Sequence, residues 1–342
     1  MGAGVIGLAT ALAARDRGAR VTVLEAEAPG AEGSAGPGRI FRHIHDLDRL
    51  VPLAVAARRG WEEAGDRFGR PFLDGRGALL IGGPRDRYAA SLAAAGVAHE
   101  TLAPEDLPAE LAPLGPGLLD PGGGTIDAAG YVEALAQELA DAIEFAPARE
   151  VLDGGGGPAV LTDRRRLDAG AVLVSAGAAT PALTAPLGID PPVTTTRHRR
   201  VAFGHAGGDG LPCVLERSLT QGMTGYLTPL PGGGLSLGTG AADDLLEDDA
   251  VALTAGYLEA IVPGADVTPT GSLPCESVVL AGHAEALGLY RAGAVAAFAG
   301  GNLFKHAPAL GPLIADALLE GRADQALAPP EVASTRPEWR NW

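Results

Sequence analysis

The chain has 342 residues, of which 46% are apolar and 20% charged, and its mean hydropathy is +0.15. This composition excludes a disordered or fibrous chain, and the length predicts about two domains. The net charge of −16 argues against binding to duplex nucleic acid or to an anionic membrane, because both need clustered Lys and Arg. A local basic pocket for a small anion is compatible with this charge.

The cysteines and apolar segments indicate the compartment. Cys213 and Cys275 are the two cysteines, and the sequence has no CxxC motif, no signal peptide and no apolar run of the about 18 residues that a membrane span needs. We therefore expect a cytoplasmic protein whose cysteines are free thiols, or in which one is an attachment site. His43 and His45 lack a cluster of Cys, Asp or Glu that would complete a metal site, so we predict no metal.

The cationic residues are unusual in type. Of the 26 Lys and Arg residues, 25 are Arg, and Lys305 is the one lysine. An ammonium group is more compact than a guanidinium and is not interchangeable with it at a tight site. Lys305 is therefore a candidate for a chemical role, although a single surface lysine is the alternative.

The first motif is a GxGxxG turn at Gly2, Gly4 and Gly7, followed by a helix-forming segment. Glycines at this spacing allow a tight turn, close approach of a pyrophosphate, and packing of the helix on its sheet. Residues 19–25 then form a strand-like segment that ends at Glu25, whose carboxylate can accept hydrogen bonds from an adenosine ribose. Together these features predict a dinucleotide-binding domain.

The strand that normally leads into this turn is not evident. It should contain about five apolar residues, and only Met1 precedes Gly2. Either the true start lies upstream, which we favour, or the central strand is absent. We expect the chain as it stands to bind its cofactor weakly.

A second buried strand within residues 169–178 closes on a turn at Gly177, and residues 124–127 lead into a helix at Tyr131. This order resembles the D-amino-acid-oxidase-like FAD-dependent oxidoreductases, above all their sarcosine-oxidase branch. The resemblance implies an α/β fold in which a Rossmann-like, FAD-binding domain is joined to a strand-rich substrate domain of α+β type. We place the FAD domain at 1–74, 119–190 and 280–330, the substrate domain at 75–118 and 191–279, and a loosely attached tail at 331–342.

Residues 33–43 are similar to the segment of that branch in which two arginines lie beside the flavin. Arg39 and Arg42 have i, i+3 spacing, which would place both on one face of a helical turn, where they can serve different anions. The resemblance implies that Ser34 lies at the cofactor, that Arg39 lies beside the isoalloxazine ring, and that Arg42 binds the substrate carboxylate. The alternative is that both are surface arginines.

Residues 297–306 resemble the C-terminal flavin loop of the same branch. The resemblance implies that Gly300 and Gly301 pass the ring, and that Phe304 and Lys305 point into the site. Lys305 falls on the family's carboxylate-binding lysine. The helix at 310–319 would direct its positive N-terminal end towards the pyrimidine edge of the flavin.

Cys275 precedes Lys305 by 30 residues, close to the spacing at which the branch carries a cysteine joined to the flavin 8α-methyl group. The resemblance therefore implies covalent FAD, and the alternative is a buried free thiol. We interpret Cys213 as a core residue in a strand of the substrate domain.

Three departures from the branch bear on its chemistry. Ser236 replaces a lysine that promotes the reaction of reduced flavin with oxygen, and a hydroxyl stabilises superoxide-like charge far less than an ammonium does. Residues 280–283 replace a Thr-Pro-Asp sequence, and Ala179 replaces a tryptophan. We therefore expect a remodelled pocket that does not prefer sarcosine, and we leave oxidase activity open.

The resulting functional prediction is FAD-dependent oxidation of a C–N bond in a small carboxylated amine, a secondary or cyclic amino acid, by hydride transfer to flavin N5. Arg42 and Lys305 would fix the carboxylate, and oxygen or another acceptor would take the electrons. Two alternatives stay open. One is a flavin dehydrogenase that acts on an amino acid of specialised metabolism without oxygen, and the other is a flavin-binding protein without turnover.

Overall fold

The computed structural model describes residues 1–204, 210–219, 225–242, 245–281, 284–321 and 324–329, without the side chains of Ala241 and Cys275. The helices are α1 (Val5–Asp16), α2 (Val51–Phe68), α3 (Arg85–Ala94), α4 (Ala128–Glu138), α5 (Thr180–Thr184), α6 (Glu247–Ile261) and α7 (Ala307–Leu319). The strands are β1 (Val23–Glu25), β2 (Gly38–Phe41), β3 (Ala78–Ile81), β4 (Glu100–Leu102), β5 (Gly117–Asp120), β6 (Gly124–Asp127), β7 (Ile143–Phe145), β8 (Ala148–Gly154), β9 (Gly157–Thr162), β10 (Arg166–Asp168), β11 (Val172–Val174), β12 (Val193–Phe203), β13 (Cys213–Glu216), β14 (Gly225–Pro229), β15 (Leu235–Thr239), β16 (Pro269–Leu280), β17 (Leu287–Ala292) and β18 (Val295–Gly300).

The chain divides into two compact units. Among the described residues, the first unit comprises 1–35, 129–195 and 276–329, and the second comprises 36–128 and 196–275. The domain boundaries given in the sequence analysis stay a prediction. The predicted tail at 331–342 lies outside the described residues.

The first unit is built on short parallel strands. β1 pairs with β7, β11 pairs with β18, and β17 joins β18 in antiparallel orientation. Their apolar side chains form one buried core with the antiparallel β8, β9 and β10. α1 packs against α7, and a Cβ at Gly311 would lie 2.7 Å from the Ala9 carbonyl oxygen, so glycine is what lets the two helices approach.

Residues 1 and 2 lie between β1 and β11. The Gly2 N–H donates to the Leu24 carbonyl at 2.9 Å, and the Met1 carbonyl accepts from the Ser175 N–H at 3.0 Å. The backbone therefore connects the two groups of strands where the GxGxxG turn begins. The carboxyl ends of β1 and β11 meet at this turn, which is the usual place for a nucleotide in an open α/β sheet.

The second unit is built on an eight-stranded sheet with the order β16-β12-β15-β14-β13-β3-β5-β4. A cluster that includes Val201, Leu237 and Leu258 of α6 fills one face. Another cluster, with Leu80 and Tyr88 of α3, fills part of the other. A smaller antiparallel pair, β2 and β6, completes the unit.

None of the helices in the described part of the chain is long and apolar enough to span a membrane.

Candidate cofactor-binding and active site

The GxGxxG turn requires glycine at specific positions. Gly2 has a φ of +89°, and a Cβ there would lie 2.6 Å from the Ser175 carbonyl oxygen. A Cβ at Gly7 would lie 2.0 Å from the carbonyl oxygen of Gly2. Both distances are far below van der Waals contact, so the turn and the start of α1 are packed backbone to backbone. A Cβ at Gly4 meets only the Ser34 hydroxyl, at 3.3 Å, which places the outer side of the turn beside that side chain.

Glu25 is fixed at the end of β1. One carboxylate oxygen accepts the Ala3 N–H at 2.6 Å, and the other accepts the N–H groups of Ala26 and Glu27 at 2.7 and 3.0 Å. Three backbone donors thus orient the carboxylate beside the glycine turn. Each carboxylate oxygen has two lone pairs, so the group keeps acceptor capacity for the hydroxyls of a ribose.

Ser34 caps α1 from a distance. Its hydroxyl oxygen accepts the N–H of Val5, the first residue of α1, at 3.0 Å. The hydroxyl proton remains available for donation, next to a helix end that carries positive partial charge. Gly177 follows β11 in the same unit with a φ of +56°, and a Cβ there would have no atom within 4 Å. Its glycine is therefore explained by backbone conformation and not by crowding.

These residues fit the pyrophosphate and ribose of a dinucleotide. The helix N-terminus offers backbone donors, the glycines remove the side chains that would block close approach, and Glu25 supplies the acceptor for ribose hydroxyls. The predicted residues of the first unit are thus brought together in two groups. Gly2, Gly4, Gly7, Glu25 and Ser34 form the first, and the second is the segment that follows β18.

The segment after β18 runs alongside the chain that precedes β17, since the Gly301 N–H donates to the Ala286 carbonyl at 3.1 Å and continues the antiparallel pairing. A Cβ at Gly300 would lie 2.7 Å from the Ala286 carbonyl oxygen, and one at Gly301 would lie 1.9 Å from the Ala284 carbonyl oxygen. Asn302, with a φ of 52°, is the one non-glycine residue of positive φ in the described part of the chain. A backbone that is both crowded and in a rare conformation is a common feature of ligand-binding loops.

Lys305 is buried at the start of α7. Phe304 and Lys305 belong to a short 3₁₀ helix, and their side chains are almost completely removed from solvent. Lys305 Nζ lies 3.7 Å from Glu285 Oε1, and Glu285 is buried as well. Glu285 was not identified from the sequence. Its one signal in the sequence is a carboxylate within an otherwise apolar stretch between Ala284 and Leu289.

The two predicted arginines lie in the second unit, and their predicted local structure is wrong. Residues 38–41 form β2, which pairs with β6 through Arg39 and Ile126, and no helical turn is present. Arg39 lies within β2 and Arg42 follows its last residue, so the two arginines are not placed together on one face of a helical turn. Arg42 is buried, and Arg39 is half-buried and donates to the Gly38 carbonyl at 2.9 Å.

A histidine and an aspartate fix the backbone next to Arg42. The His43 N–H donates to Asp120 Oδ2 at 2.6 Å, and His43 Nδ1 lies 3.0 Å from Asp120 Oδ1. Asp120 is completely buried and also accepts the Gly122 N–H. From the sequence, His43 was considered only as a metal ligand, and its pairing with Asp120 was missed.

Ser236 lies on β15, opposite Ala202 of β12 and Thr228 of β14, and is buried. Tyr226 of β14 faces the same side of the sheet, because it pairs with Gly238, two residues beyond Ser236. A Cβ at Gly238 would lie 2.2 Å from the Tyr226 hydroxyl, so the ring lies across that glycine. Tyr226 was not identified from the sequence, where it is one aromatic residue ahead of a glycine-rich hairpin.

A comparison of the chain with models of protein families shows the family to which it belongs. The profile described as DAO, FAD dependent oxidoreductase, matches residues 1–317. The chain belongs to the DAO family. This match confirms the predicted fold class, enzyme class and FAD cofactor. The glycine turn, Glu25 and Ser34 are the residues of this DAO protein that would hold the nucleotide part of FAD.

Solved structures of similar fold are also found for this DAO protein. NikD in its open form, described as an unusual amino acid oxidase essential for nikkomycin biosynthesis, is 23% identical with a TM-score of 0.84, and the match covers 97% of this chain and 96% of NikD. Glycine oxidase from Geobacillus kaustophilus is 21% identical with a TM-score of 0.82, covering 95% and 94%. L-proline dehydrogenase from P. horikoshii is 19% identical with a TM-score of 0.81, covering 94% and 92%. No curated protein is significantly similar in sequence.

The structure describes the side chain of Cys213 but only the backbone of Cys275. Cys213 lies in β13 and is completely buried, in agreement with its interpretation as a core residue, and burial raises the pKa of its thiol to about 12. The backbone at residue 275 belongs to β16, but the side chain of Cys275 lies outside the described residues. Covalent attachment of FAD therefore stays a prediction.

Proposed function

We propose that this DAO protein oxidises a C–N bond of a small carboxylated amine, a secondary or cyclic amino acid, to an imine. The observation that carries this proposal is the buried ammonium group of Lys305 on the loop that follows β18. Glu285 lies 3.7 Å from this ammonium group, and an ammonium group at the candidate site can in addition bind the carboxylate of an amino-acid substrate. The descriptions of NikD, glycine oxidase and L-proline dehydrogenase as amino-acid enzymes support this substrate class.

Lys305 would bind and orient the substrate. A carboxylate held by its ammonium fixes the neighbouring carbon in one position, and burial of the site excludes water, which strengthens the interaction. FAD supplies the two-electron oxidant when it is bound. The nitrogen lone pair then forms the C=N bond as the carbon loses its hydrogen, so no strong protein base is required. The roles of Arg42 in carboxylate binding and of Arg39 beside the flavin ring stay predictions from the sequence resemblance.

The test of this proposal is the rate of anaerobic flavin reduction by amines with and without a carboxylate. For Lys305→Met we expect kcat/KM with carboxylated amines to fall by about tenfold or more, because hydrogen bonds to charged groups contribute about 1.5–3 kcal/mol. The rate with the same amine lacking its carboxylate should not change. Arg166→Met, on the exposed β10, is the matched control. Equal rates for Lys305→Met and the unaltered enzyme with carboxylated amines would refute the proposal.

A second candidate is a dehydrogenase that passes electrons to an acceptor other than oxygen. Ser236 favours it, because a hydroxyl and not an ammonium occupies that position on β15. Turnover that reduces an artificial electron acceptor but releases little peroxide in air would support the dehydrogenase. A flavin that no amine of a broad panel reduces would instead indicate binding without turnover.

A further inference from the structure

One arginine of the eight-stranded sheet points away from the core that α6 covers. Val201 of β12 belongs to that core, and Arg199, which lies on the same side of the strand, pairs with Glu247 of α6 at 2.9 Å. Side chains alternate along a strand, so Arg200 points to the opposite face of the sheet. The two neighbouring arginines therefore have different surroundings, and the pairing of the sheet with α6 does not explain Arg200.

Strand pairing gives Arg200 uncharged neighbours on this face. Ala202 of β12 pairs with Ser236 of β15, and the same register brings Arg200 opposite Gly238. The hydroxyl group of Tyr226 lies across that glycine, 2.2 Å from where its Cβ would be. The hydroxyl groups of Ser236 and Tyr226 are thus close neighbours of Arg200 in the sheet, and both can donate hydrogen bonds to an anion.

Arg39 of β2 reaches the same place as Arg200. A Cβ at Gly36 would lie 3.2 Å from Arg39 Nη1 and 3.7 Å from Arg200 Nη1, so both guanidinium groups lie within 3.7 Å of one point. Gly36 has a φ of +107°, and its Cβ would also lie 2.8 Å from Leu273 Cδ2, so a side chain is excluded there. Both arginines are half-buried and belong to the second unit. The backbone thus meets two guanidinium groups with no side chain of residue 36 between them.

Two positive charges held this close repel each other, and an anion bound between them removes that repulsion. In a chain with a net charge of −16, an anionic ligand needs such a local concentration of positive charge. Both arginines also take part in other interactions, as Arg39 does by donating to the Gly38 carbonyl at 2.9 Å. A guanidinium has five N–H donors and uses one or two of them to bind a carboxylate, so a ligand adds to these contacts.

We propose that Arg39 and Arg200 form a binding site for one carboxylate group. Each guanidinium donates to a carboxylate oxygen, and the hydroxyl groups of Ser236 and Tyr226 lie on the same face of the sheet to donate further hydrogen bonds. The carboxylate has two possible sources, a second carboxylate of the amine substrate or a separate small carboxylate. The first source rests on the proposed function and narrows its substrate class to dicarboxylated amines. The predicted place of Arg39 beside the flavin ring, where a substrate must lie, favours it.

The test is calorimetric titration of the FAD-loaded enzyme with butyrate, succinate and glutarate. Butyrate has one carboxylate, succinate and glutarate have two at different spacings, and none has a C–N bond that the enzyme could oxidise. We expect one of the dicarboxylates to bind about tenfold or more tightly than butyrate, because it gains hydrogen bonds to a second charged group. Arg200→Gln should remove this advantage and leave the affinity for butyrate unchanged.

Two further variants of β12 separate recognition from folding. Arg200→Lys keeps the positive charge without the planar guanidinium, so it should retain part of the preference for the dicarboxylate. Arg197→Gln removes an exposed arginine of the same strand and should leave all three affinities unchanged. A preference that is lost in Arg200→Gln, partly kept in Arg200→Lys and complete in Arg197→Gln supports a specific site for the carboxylate.

The number of ligands bound identifies the source of the carboxylate. One dicarboxylate per enzyme that binds more tightly than butyrate indicates a second carboxylate of the substrate. Two butyrate molecules per enzyme, of which Arg200→Gln removes one, indicate a separate carboxylate. Both results support the site formed by Arg39 and Arg200.

Other results overturn this inference without deciding the proposed function. Affinities and numbers of ligands that Arg200→Gln leaves unchanged would refute the carboxylate site. If the same variant changes only the reduction potential of the flavin, the two guanidinium groups act on the flavin, and the carboxylate site is equally refuted. The proposed function has its own result in these titrations. If Lys305→Met leaves butyrate binding unchanged while Arg200→Gln removes the dicarboxylate advantage, the role of Lys305 fails and the site at Arg200 stands.

Discussion

The hydroxyl oxygen of Ser34 accepts a hydrogen bond from the backbone N–H of Val5, and so caps α1 from 29 residues away along the chain. Gly4 occupies the N-cap position of this helix and has no side chain to do so. The glycine turn before α1 can therefore lack side chains while the N-terminus of α1 is capped by the Ser34 hydroxyl.

Replacement of Ser34 should therefore affect both stability and cofactor binding. Loss of an N-cap oxygen costs about 0.5–2 kcal/mol, so Ser34→Ala should lower the free energy of unfolding by that amount. We also expect weaker FAD binding, measured by quenching of flavin fluorescence. Ser34→Thr keeps the hydroxyl and should retain most of both properties. An unfolding free energy and FAD affinity in Ser34→Ala equal to those of the unaltered chain would contradict this account.

Two glycine-to-alanine variants separate the effect of steric crowding in the glycine turn from the effect of a positive φ. An alanine Cβ at Gly7 would lie 2.0 Å from the Gly2 carbonyl oxygen, so Gly7→Ala must displace backbone and should largely abolish FAD binding. Gly18 has a φ of +84° with no atom within 4 Å of a Cβ, so Gly18→Ala should cost only about 1–2 kcal/mol of strain. FAD titration and denaturant unfolding of both variants measure the difference. Similar FAD affinities for the two variants would show that the turn is not packed as described.

The sequence was most informative where the chemistry is local. The GxGxxG turn and Glu25 could be predicted because the turn, the helix start and the strand are adjacent in sequence, and each residue type has a specific physical reason. The single lysine drew attention to residue 305 by composition alone, and the structure places it in a buried position. FAD as cofactor followed from these features together with the family resemblance.

Features that depend on distant pairing could not be derived in this way. Spacing suggested a helical turn for Arg39 and Arg42, but pairing of β2 with β6, more than 80 residues away, makes the segment extended. Glu285 was missed because its contact with Lys305 depends on the antiparallel pairing that β17 and β18 continue at Ala286 and Gly301. Residues 286 and 301 are only 15 positions apart, but the pattern of glycines and apolar residues does not show which side chains this hairpin brings together. The Asp120 contact with His43 has the same origin, across 77 residues.

Cys213 should be inert towards thiol reagents in the folded protein. It is completely buried, lies 3.2 Å from the Thr125 hydroxyl oxygen, and has a pKa raised to about 12, so little thiolate forms at pH 8. Iodoacetamide at pH 8 should modify it only after unfolding, as measured by peptide mass spectrometry. Rapid modification of Cys213 without loss of structure would contradict its position in β13.

The raised pKa of Cys213 also makes the free energy of unfolding depend on pH. The contribution that the neutral, buried thiol makes to that free energy is complete below pH 9 and is lost as the pH rises through about 12.

The covalent attachment predicted at Cys275 has a direct measurement. Acid precipitation of the yellow protein should carry the flavin into the pellet if a thioether is present, and Cys275→Ala should release it into the supernatant. Cys213→Ala is the matched control and should keep the flavin in the pellet. Release of the flavin from the unaltered protein would show that Cys275 is not an attachment site, while leaving FAD as the cofactor.

Ser236 provides a test of what limits reaction with oxygen. Its side chain is 8% exposed on β15, opposite Thr228 and beside the position of Tyr226 on the same face of the sheet. An ammonium introduced at this position would stabilise negative charge that develops as oxygen accepts an electron, and a single such group typically changes a rate by about 10²–10³-fold. We therefore expect Ser236→Lys to accelerate the reoxidation of the reduced enzyme by oxygen by about tenfold or more. Stopped-flow absorbance of the flavin measures this rate. Thr101→Lys adds the same charge at an exposed position of β4 and is the control for a general effect of added positive charge. Equal acceleration by the two variants would assign the effect to net charge, whereas no acceleration by Ser236→Lys would refute the assignment of this position to the oxygen reaction.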